Sequence, residues 1–387
     1  MTTWTRRSVA RTVSIAALTL LLAWIVGGQA LLGRIDPALA LPILALAMLL
    51  LAVWQRGEET ASRRLNALAL LGLLLAAQAL LGLVLAGSAG WRQLALVGVS
   101  GAAAAWVADR LVQRRWRMRW LPWFAGLVLV TGWFASGHML LAALYRPALA
   151  AAGTPAATML TGLPLRWSGS GDIAAIISSG AEDDPALVRL EALGPVALAD
   201  SLAEQVPPPG GTLLIAHPRA LAPRELVAID AFVRGGGKAV LLADALSGWP
   251  ARHPLGDPRN PPVTSLLTPL LDHWGVVLGS APTGDNAVSA IAVDGARLRL
   301  SSAGAFERLP PRCRSFADRR VARCPIGAGE AWLVGDADLL FAPLWSPLVP
   351  GAHHLRRADT IEWLAARLWP GAGVAPLQPL WIRARAN

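Results

Sequence analysis

The stretch AFVRGGGKAVLLADA, residues 231–245, sets three glycines before Lys238, the single lysine of the chain. A glycine loop followed by lysine is the composition of a phosphate cradle, in which backbone N–H groups and an ammonium hold a nucleotide. That chemistry needs a strand, the loop, and then a helix whose N-terminus faces the anion. Here the order is reversed. Pro223 suits a first helical position and Glu225 a first turn, while Leu226, Ile229, Phe232 and Val233 share one helical face. Gly235 stands where a helix would adopt its left-handed C-cap, so the glycines end a helix and Lys238 opens a strand. No cofactor fingerprint remains, and none is expected.

His217, Asp244 and Asp336 each fall at or just past the end of an apolar strand pattern, and Asp338 follows by two. In an open parallel sheet ligands bind outside those ends. The four are therefore candidates for ligand or partner binding. The plainer reading is that they cap helices and satisfy loop backbone, as Asp commonly does after strands. No catalytic residue and no metal-ligand set is assigned. Cys313 and Cys324 are the only cysteines, separated by eleven positions; a disulfide in an oxidising compartment and two free thiols both fit that spacing. His353 and His354 are neighbours whose side chains diverge, which suits a surface loop. His138 falls inside an apolar run, where an ionisable group is a functional hypothesis by default.

The elements that must position these residues belong to two regions of different kind. The 387 residues are 54% hydrophobic and 16% charged, against about 25% charged in an average soluble domain. Residues 1–147 hold 14 Lys+Arg and 4 Asp+Glu, and the remainder 21 of each, so the net charge of +10 lies wholly in the first third. It sits beside apolar runs and reads as membrane topology, which removes nucleic acid as a partner. Five stretches, 13–32, 38–54, 67–85, 93–107 and 121–141, are candidate spans, which makes the bilayer itself a partner. Eleven arginines lie on one side of them; only Arg34, Arg92 and Arg146 lie on the other. That bias puts the N-terminus in the cytoplasm and the chain after about residue 147 outside a plasma membrane. A cleavable signal peptide with ALA at 38–40 competes for the first stretch, but its apolar run exceeds the usual ~7–15 residues.

Residues 148–170 read as an Ala-, Pro- and Gly-rich linker and 171–370 as an exported α/β domain. Strands are expected at 172–178, 195–200, 211–218, 238–243 and after Gly275, alternating with helices, which gives a doubly wound, mostly parallel sheet. Alternation of period two around Asp294-Gly295 adds a β-hairpin region, and 313–324 suits a second hairpin. A strand at 329–340 and a helix at 358–369 close the domain, leaving 371–387 as an irregular tail. The Pro-rich loop at 256–263 is a candidate partner-contacting surface.

The segments LAPRELVAIDAFVRGGGKAVLLAD, LLDHWGVVLG and GEAWLVGDADLL together resemble the exported domain of GldG-type ABC-transporter auxiliary proteins and related bacterial membrane proteins. The resemblance covers about 170–345. It implies a flavodoxin-like or class I glutamine amidotransferase-like fold in which the family's cysteine nucleophile has no counterpart at a strand end. It further implies an inner-membrane accessory protein with an ABC permease or envelope proteins as partners. An exported hydrolase with its site at the strand ends is the alternative.

Overall fold

The computed structural model describes residues 6–166, 183–251, 253–254, 256–257, 260–282, 288–371 and 375–383. Two compact units are present: Met1–Arg146 with Pro347–Arg356 and Ala375–Asn387, and Pro147–Ser346 with Arg357–Val374.

The first unit is helical. Helix α1 (Arg6–Ile25) is followed by a single turn, α2 (Gln29–Leu32), and a 3-10 segment, Pro37–Ile43, that runs into α3 (Leu44–Trp54). Helices α4 (Thr60–Leu81), α5 (Trp91–Gln113) and α6 (Leu121–Leu144) follow. Five segments are long and apolar enough to cross a membrane: Ser8–Ile25, Pro37–Trp54, Thr60–Ala86, Trp91–Gln113 and Leu121–Leu144. Three differ clearly from the apolar runs, the third beginning at Thr60 rather than at residue 67. The first stops at Ile25 because Gly28 turns left-handed (φ 76°). The fourth reaches Gln113, well past Val107, because Asp109 on its last turns pairs with Arg63 of α4 at 2.7 Å and so keeps a charge within the helix. Leu44, Met48 and Leu51 pack with Leu70, Leu74, Val97 and Ala104 to form the core. Small residues admit close approach: a Cβ on Gly101 would lie 2.6 Å from Leu71 Cδ1.

The second unit is built on a seven-stranded sheet of order β2-β1-β3-β4-β11-β10-β9. Strands β1 (Ala157–Thr161), β2 (Val196–Leu198), β3 (Thr212–Ala216), β4 (Lys238–Leu242) and β11 (Gly329–Val334) are parallel. Strands β10 (Val321–Ile326) and β9 (Arg314–Phe316) extend the sheet antiparallel. The sheet is thus mostly parallel with added antiparallel strands. Side chains alternate between two cores. Met159, Leu214, Val240 and Val334 meet Leu187 and Leu190 of α7 (Pro185–Glu191) and Ile361 and Leu364 of α10 (Thr360–Leu368). Leu213, Ile215, Leu241 and Leu333 meet Ile229 and Val233 of α8 (Pro223–Arg234) and Leu271 of α9 (Thr268–His273). Helices cover both faces, which is why these strands read as continuous apolar runs.

Several expectations change here. The stretch read as a linker contains β1, which lies between β2 and β3 and whose short run ATMLT is hidden in Ala- and Pro-rich surroundings. The expected strand at 172–178 lies outside the described residues. Residues 277–278 do not join the main sheet; as β5 they pair with β8 (Phe306–Arg308). The hairpin around Asp294-Gly295 joins β6 (Val288–Val293) and β7 (Ala296–Ser301), with both turn residues at positive φ, 49° and 81°. The second hairpin is present, β9 pairing antiparallel with β10 at the edge of the main sheet, and a disulfide joins Cys313 and Cys324 across it. Residues 347–356 and 375–383, expected in the exported domain and an irregular tail, belong to the helical unit. Ile35 N–H donates to Leu380 O at 2.9 Å and Leu377 N–H to Leu144 O at 3.1 Å, so backbone pairing substitutes for periodicity in the tail.

Candidate functional site

Strands β3, β4 and β11 are adjacent and parallel, with Ala216 beside Leu242 and Leu242 beside Val334. Residues just beyond these positions emerge at one edge. Asp244 and Asp336 each stand two residues past a paired position, and the turn Gly335–Ala337 carries Asp338 to the same place. One carboxylate oxygen from each of Asp244, Asp336 and Asp338 lies within 4.8 Å of the others. Asp244 and Asp336 are wholly buried, and Asp338 is 2% exposed.

Loop groups surround the cluster. Asp244 accepts from Leu246 N–H at 3.1 Å and Ala337 N–H at 3.3 Å. Asp336 accepts from Ser301 N–H at 2.7 Å, and Asp338 from the Ser247 hydroxyl at 3.2 Å and from Gly248 N–H. Asp336 Oδ1 has no hydrogen-bond partner among the described residues. The carboxylates therefore tie the loops after β4, β7 and β11 together. Burial pushes the Asp244 carboxyl up to about 8, and the neighbouring Asp338 charge adds to this. Burial raises Asp336 well above the usual carboxylate range, with Asp244 and Asp338 adding to it, and burial also raises Asp338. Like charges at this separation cannot all ionise without solvent. Three buried carboxylates with raised pKa values offer general acid–base groups and, once deprotonated, an all-oxygen donor set of the kind hard divalent cations take.

His217 does not join them; the group of converging ligand atoms contains the three aspartates alone. Its ring Nε2 meets Pro262 O at 2.7 Å. A carbonyl can only accept, so Nε2 carries the proton, and burial lowers the pKa of the ring. Its backbone is left-handed (φ 47°), an uncommon conformation for a non-glycine residue. Gly162 is matched to it, since a Cβ there would sit 2.7 Å from His217 O. The 256–263 loop is thereby pinned at Pro262, and Ser265 N–H donates to Asp244 O at 2.7 Å. Ser247 and Ser301 are missed by motif reasoning, because their role depends on loops distant in sequence.

A second buried polar constellation lies in the helical unit. Arg34, counted above as a topological charge, is fully buried and ion-paired with Asp36. The Tyr145 hydroxyl donates to both Asp36 oxygens at 2.6 and 2.7 Å. Arg34 also donates to His354 O, and its guanidinium lies 5.3 Å from the Tyr145 ring centroid and 5.1 Å from that of Trp381. His354, expected on a surface loop, is 1% exposed and its Nε2 stands 2.9 Å from His138 Nδ1. Burial takes His354 down to about 3, so it is neutral at ordinary pH. Residues 34–36, 138–145, 353–356 and 381 converge here, a joining that no local pattern signals.

Residues 195–294 match the family model described as an ABC-type uncharacterized transport system, an auxiliary component. The match runs from β2 to the Asp294 turn and includes His217 and Asp244 but neither Asp336 nor Asp338. It supports the auxiliary transporter family and an accessory role in a transport system. No curated protein matches. Among solved structures the chain is similar to exo-β-1,4-mannosidase Op5Man5 from Opitutaceae bacterium strain TAV5, at 13% identity and TM-score 0.33 over 63% of this chain and 39% of that one. It is also similar to a β-galactosidase from Bacillus circulans sp. alkalophilus, at 14% identity and TM-score 0.31 over 64% and 36%. A β-galactosidase from Rahnella sp. R3 shows 17% identity and TM-score 0.27 over 41% and 25%. The chain spans well under half the length of these enzymes, and at such scores the likeness carries no argument for fold or activity.

Proposed function

We propose that the chain is a membrane-anchored, non-catalytic accessory component of an ABC-type transport or envelope assembly system in the bacterial inner membrane. The α/β unit lies on the extracytoplasmic side and binds a protein or ligand there. The observation that carries this reading is the family match over 195–294 in a chain with five segments able to cross a bilayer. Within it we place the finer likeness to GldG-type proteins and to a flavodoxin- or amidotransferase-like fold. Loss of the amidotransferase nucleophile is supported by the position of both cysteines, which are bridged at the sheet's antiparallel edge, away from the strand ends that hold Asp244 and Asp336. Asp244, Asp336, Asp338 and His217 then shape the binding edge and hold its loops.

The test has two parts. Alkaline phosphatase fused after residue 383 is expected to be active and green fluorescent protein at the same site dark, as the arginine bias requires. Affinity purification from native membranes under mild detergent is expected to recover an ABC permease or an envelope protein. A cytosolic C-terminus, or recovery of neither class, refutes the reading. A second reading, an exported hydrolase, is favoured by the unpartnered buried Asp336 Oδ1 at the strand-end edge. Turnover of a hydrolysable substrate that Asp336→Asn abolishes while the chain stays folded would establish it.

A further inference from the structure

At the end of the helical unit that carries the α3–α4 and α5–α6 connections, a half-open cleft of about 870 Å³ is lined by α3, the loop after α5, and α6. Its polar rim is Arg56, Arg114, Arg115, Arg117 and Arg119, and no acidic residue lines it. Its wall is apolar: Leu49 and Val53 from α3 face Leu127 and Val130 from α6. Gly126 keeps this wall tight, since a Cβ there would lie 3.3 Å from Leu49 Cδ2. Trp116 and Trp123 also line it. The Trp116 indole is fixed by donating to Leu111 O at 3.1 Å, and the Arg114 guanidinium lies 5.1 Å from its ring centroid.

None of the five arginines has a carboxylate within ion-pair distance among the described residues. Of the four carboxylates in residues 1–147, Asp36 is taken by Arg34 and Asp109 by Arg63, Glu58 accepts from the Ser62 and Asn66 side chains, and Glu59 lines neither this cleft nor its neighbour. A neighbouring cleft at the same end of the bundle, about 300 Å³, shows the contrast: Asp109 lines it together with Arg63, Arg64 and Arg110. Five clustered guanidinium groups above an apolar groove repel one another unless an anion lies between them. Guanidinium forks suit phosphate oxygens, and the groove below suits a hydrocarbon chain. Arginine-rich segments beside a spanning helix attract anionic headgroups.

We propose that this cleft binds one anionic phospholipid, its phosphate among the five arginines and an acyl chain along Leu49, Val53, Leu127 and Val130. The site rests on the helical unit being embedded in a bilayer and is independent of the accessory role proposed above.

The test is native mass spectrometry of the full-length chain in mild detergent, titrated separately with phosphatidylglycerol, phosphatidylcholine of the same chain length, and inorganic phosphate. Phosphatidylglycerol is expected to be retained one per chain with a preference of ~10-fold or more over phosphatidylcholine, and phosphate alone is not retained. Joint replacement of Arg114, Arg115, Arg117 and Arg119 by Gln is expected to abolish the preference, and replacement by Lys to keep most of it. Arg64→Gln with Arg110→Gln, in the neighbouring cleft, should leave it intact. These side chains are exposed, so the variants retain the helical bundle, checked by circular dichroism. Equal retention of both lipids, retention by the Gln variant, or phosphate bound as well as lipid would each overturn the proposal. Val130→Trp, which fills the apolar groove and spares every arginine, supplies an independent arm: unchanged phosphatidylglycerol retention would count against an acyl chain in the groove.

Discussion

Replacing Asp244 by Asn tests whether the strand-end cluster is held together by shared protons. In the folded chain the Asp244 carboxyl titrates at about 8, against 3.8 for the free side chain. Between those values the folded state holds a proton that the unfolded state has released. Stability then falls as pH rises, by ~1.4 kcal/mol per pH unit for one proton. Below the lower value both states are protonated, and above the upper one both are ionised, so the slope is confined to that window. From about pH 6 to about pH 7.5 the loss is ~2 kcal/mol. Asn keeps the shape and one acceptor for Leu246 or Ala337 N–H, and its amide can donate to Asp338, but it has no proton to lose. Removing the charge also weakens the push on Asp336 and Asp338, so the whole curve flattens. The assay is denaturant unfolding of the full-length chain in detergent, followed by tryptophan fluorescence across that range. The wild-type midpoint should drop with pH, and the variant's should drop by visibly less. Parallel curves would show that the cluster is ionised in the folded chain, and the proton-sharing account would be wrong.

Tyr145→Phe leaves the buried Asp36 one donor short and should destabilise the helical unit by ~1–3 kcal/mol, read as a lowered thermal midpoint in detergent. Arg34→Met, which strands Asp36 as an uncompensated buried charge, should cost more, ~3–5 kcal/mol by the same assay. Cys313→Ser with Cys324→Ser opens a short loop at the sheet edge; loop-closure entropy gives a loss of ~3 kcal/mol, and adding reductant to wild type should reproduce it. Gly162→Ala pushes a methyl against His217 O and should lower stability by ~1–3 kcal/mol in denaturant unfolding.

Local physics made much of this legible from the residues. Helix α8 follows from Pro223, the apolar stripe Leu226–Ile229–Val233 and the glycines after Arg234, and its bounds agree with the helix Pro223–Arg234, but the left-handed residue is Gly236 (φ 107°), not Gly235 (φ −73°). Five apolar segments and the Asp294-Gly295 turn were equally plain, because length, periodicity and backbone preference are properties of short windows. Strand β1 escaped since five residues in an Ala- and Pro-rich stretch carry little periodic signal; neighbours on both sides, β2 and β3, make it a strand.

Type and position alone made Asp244, Asp336 and Asp338 candidates, since apolar strand runs ending in Asp mark the edge of a parallel sheet. Their convergence within 4.8 Å depends on β4 and β11 being neighbours across some ninety residues of intervening chain, which no window contains. The same holds for Arg34, whose charge read as a topological marker until Asp36, Tyr145, His354 and Trp381 closed around it. Residue chemistry fixes what a group can do and where along the chain its element begins. Burial and partnership are sums over distant segments, so the buried carboxylate cluster at the strand ends and the buried ion pair in the bundle were decided by the tertiary structure.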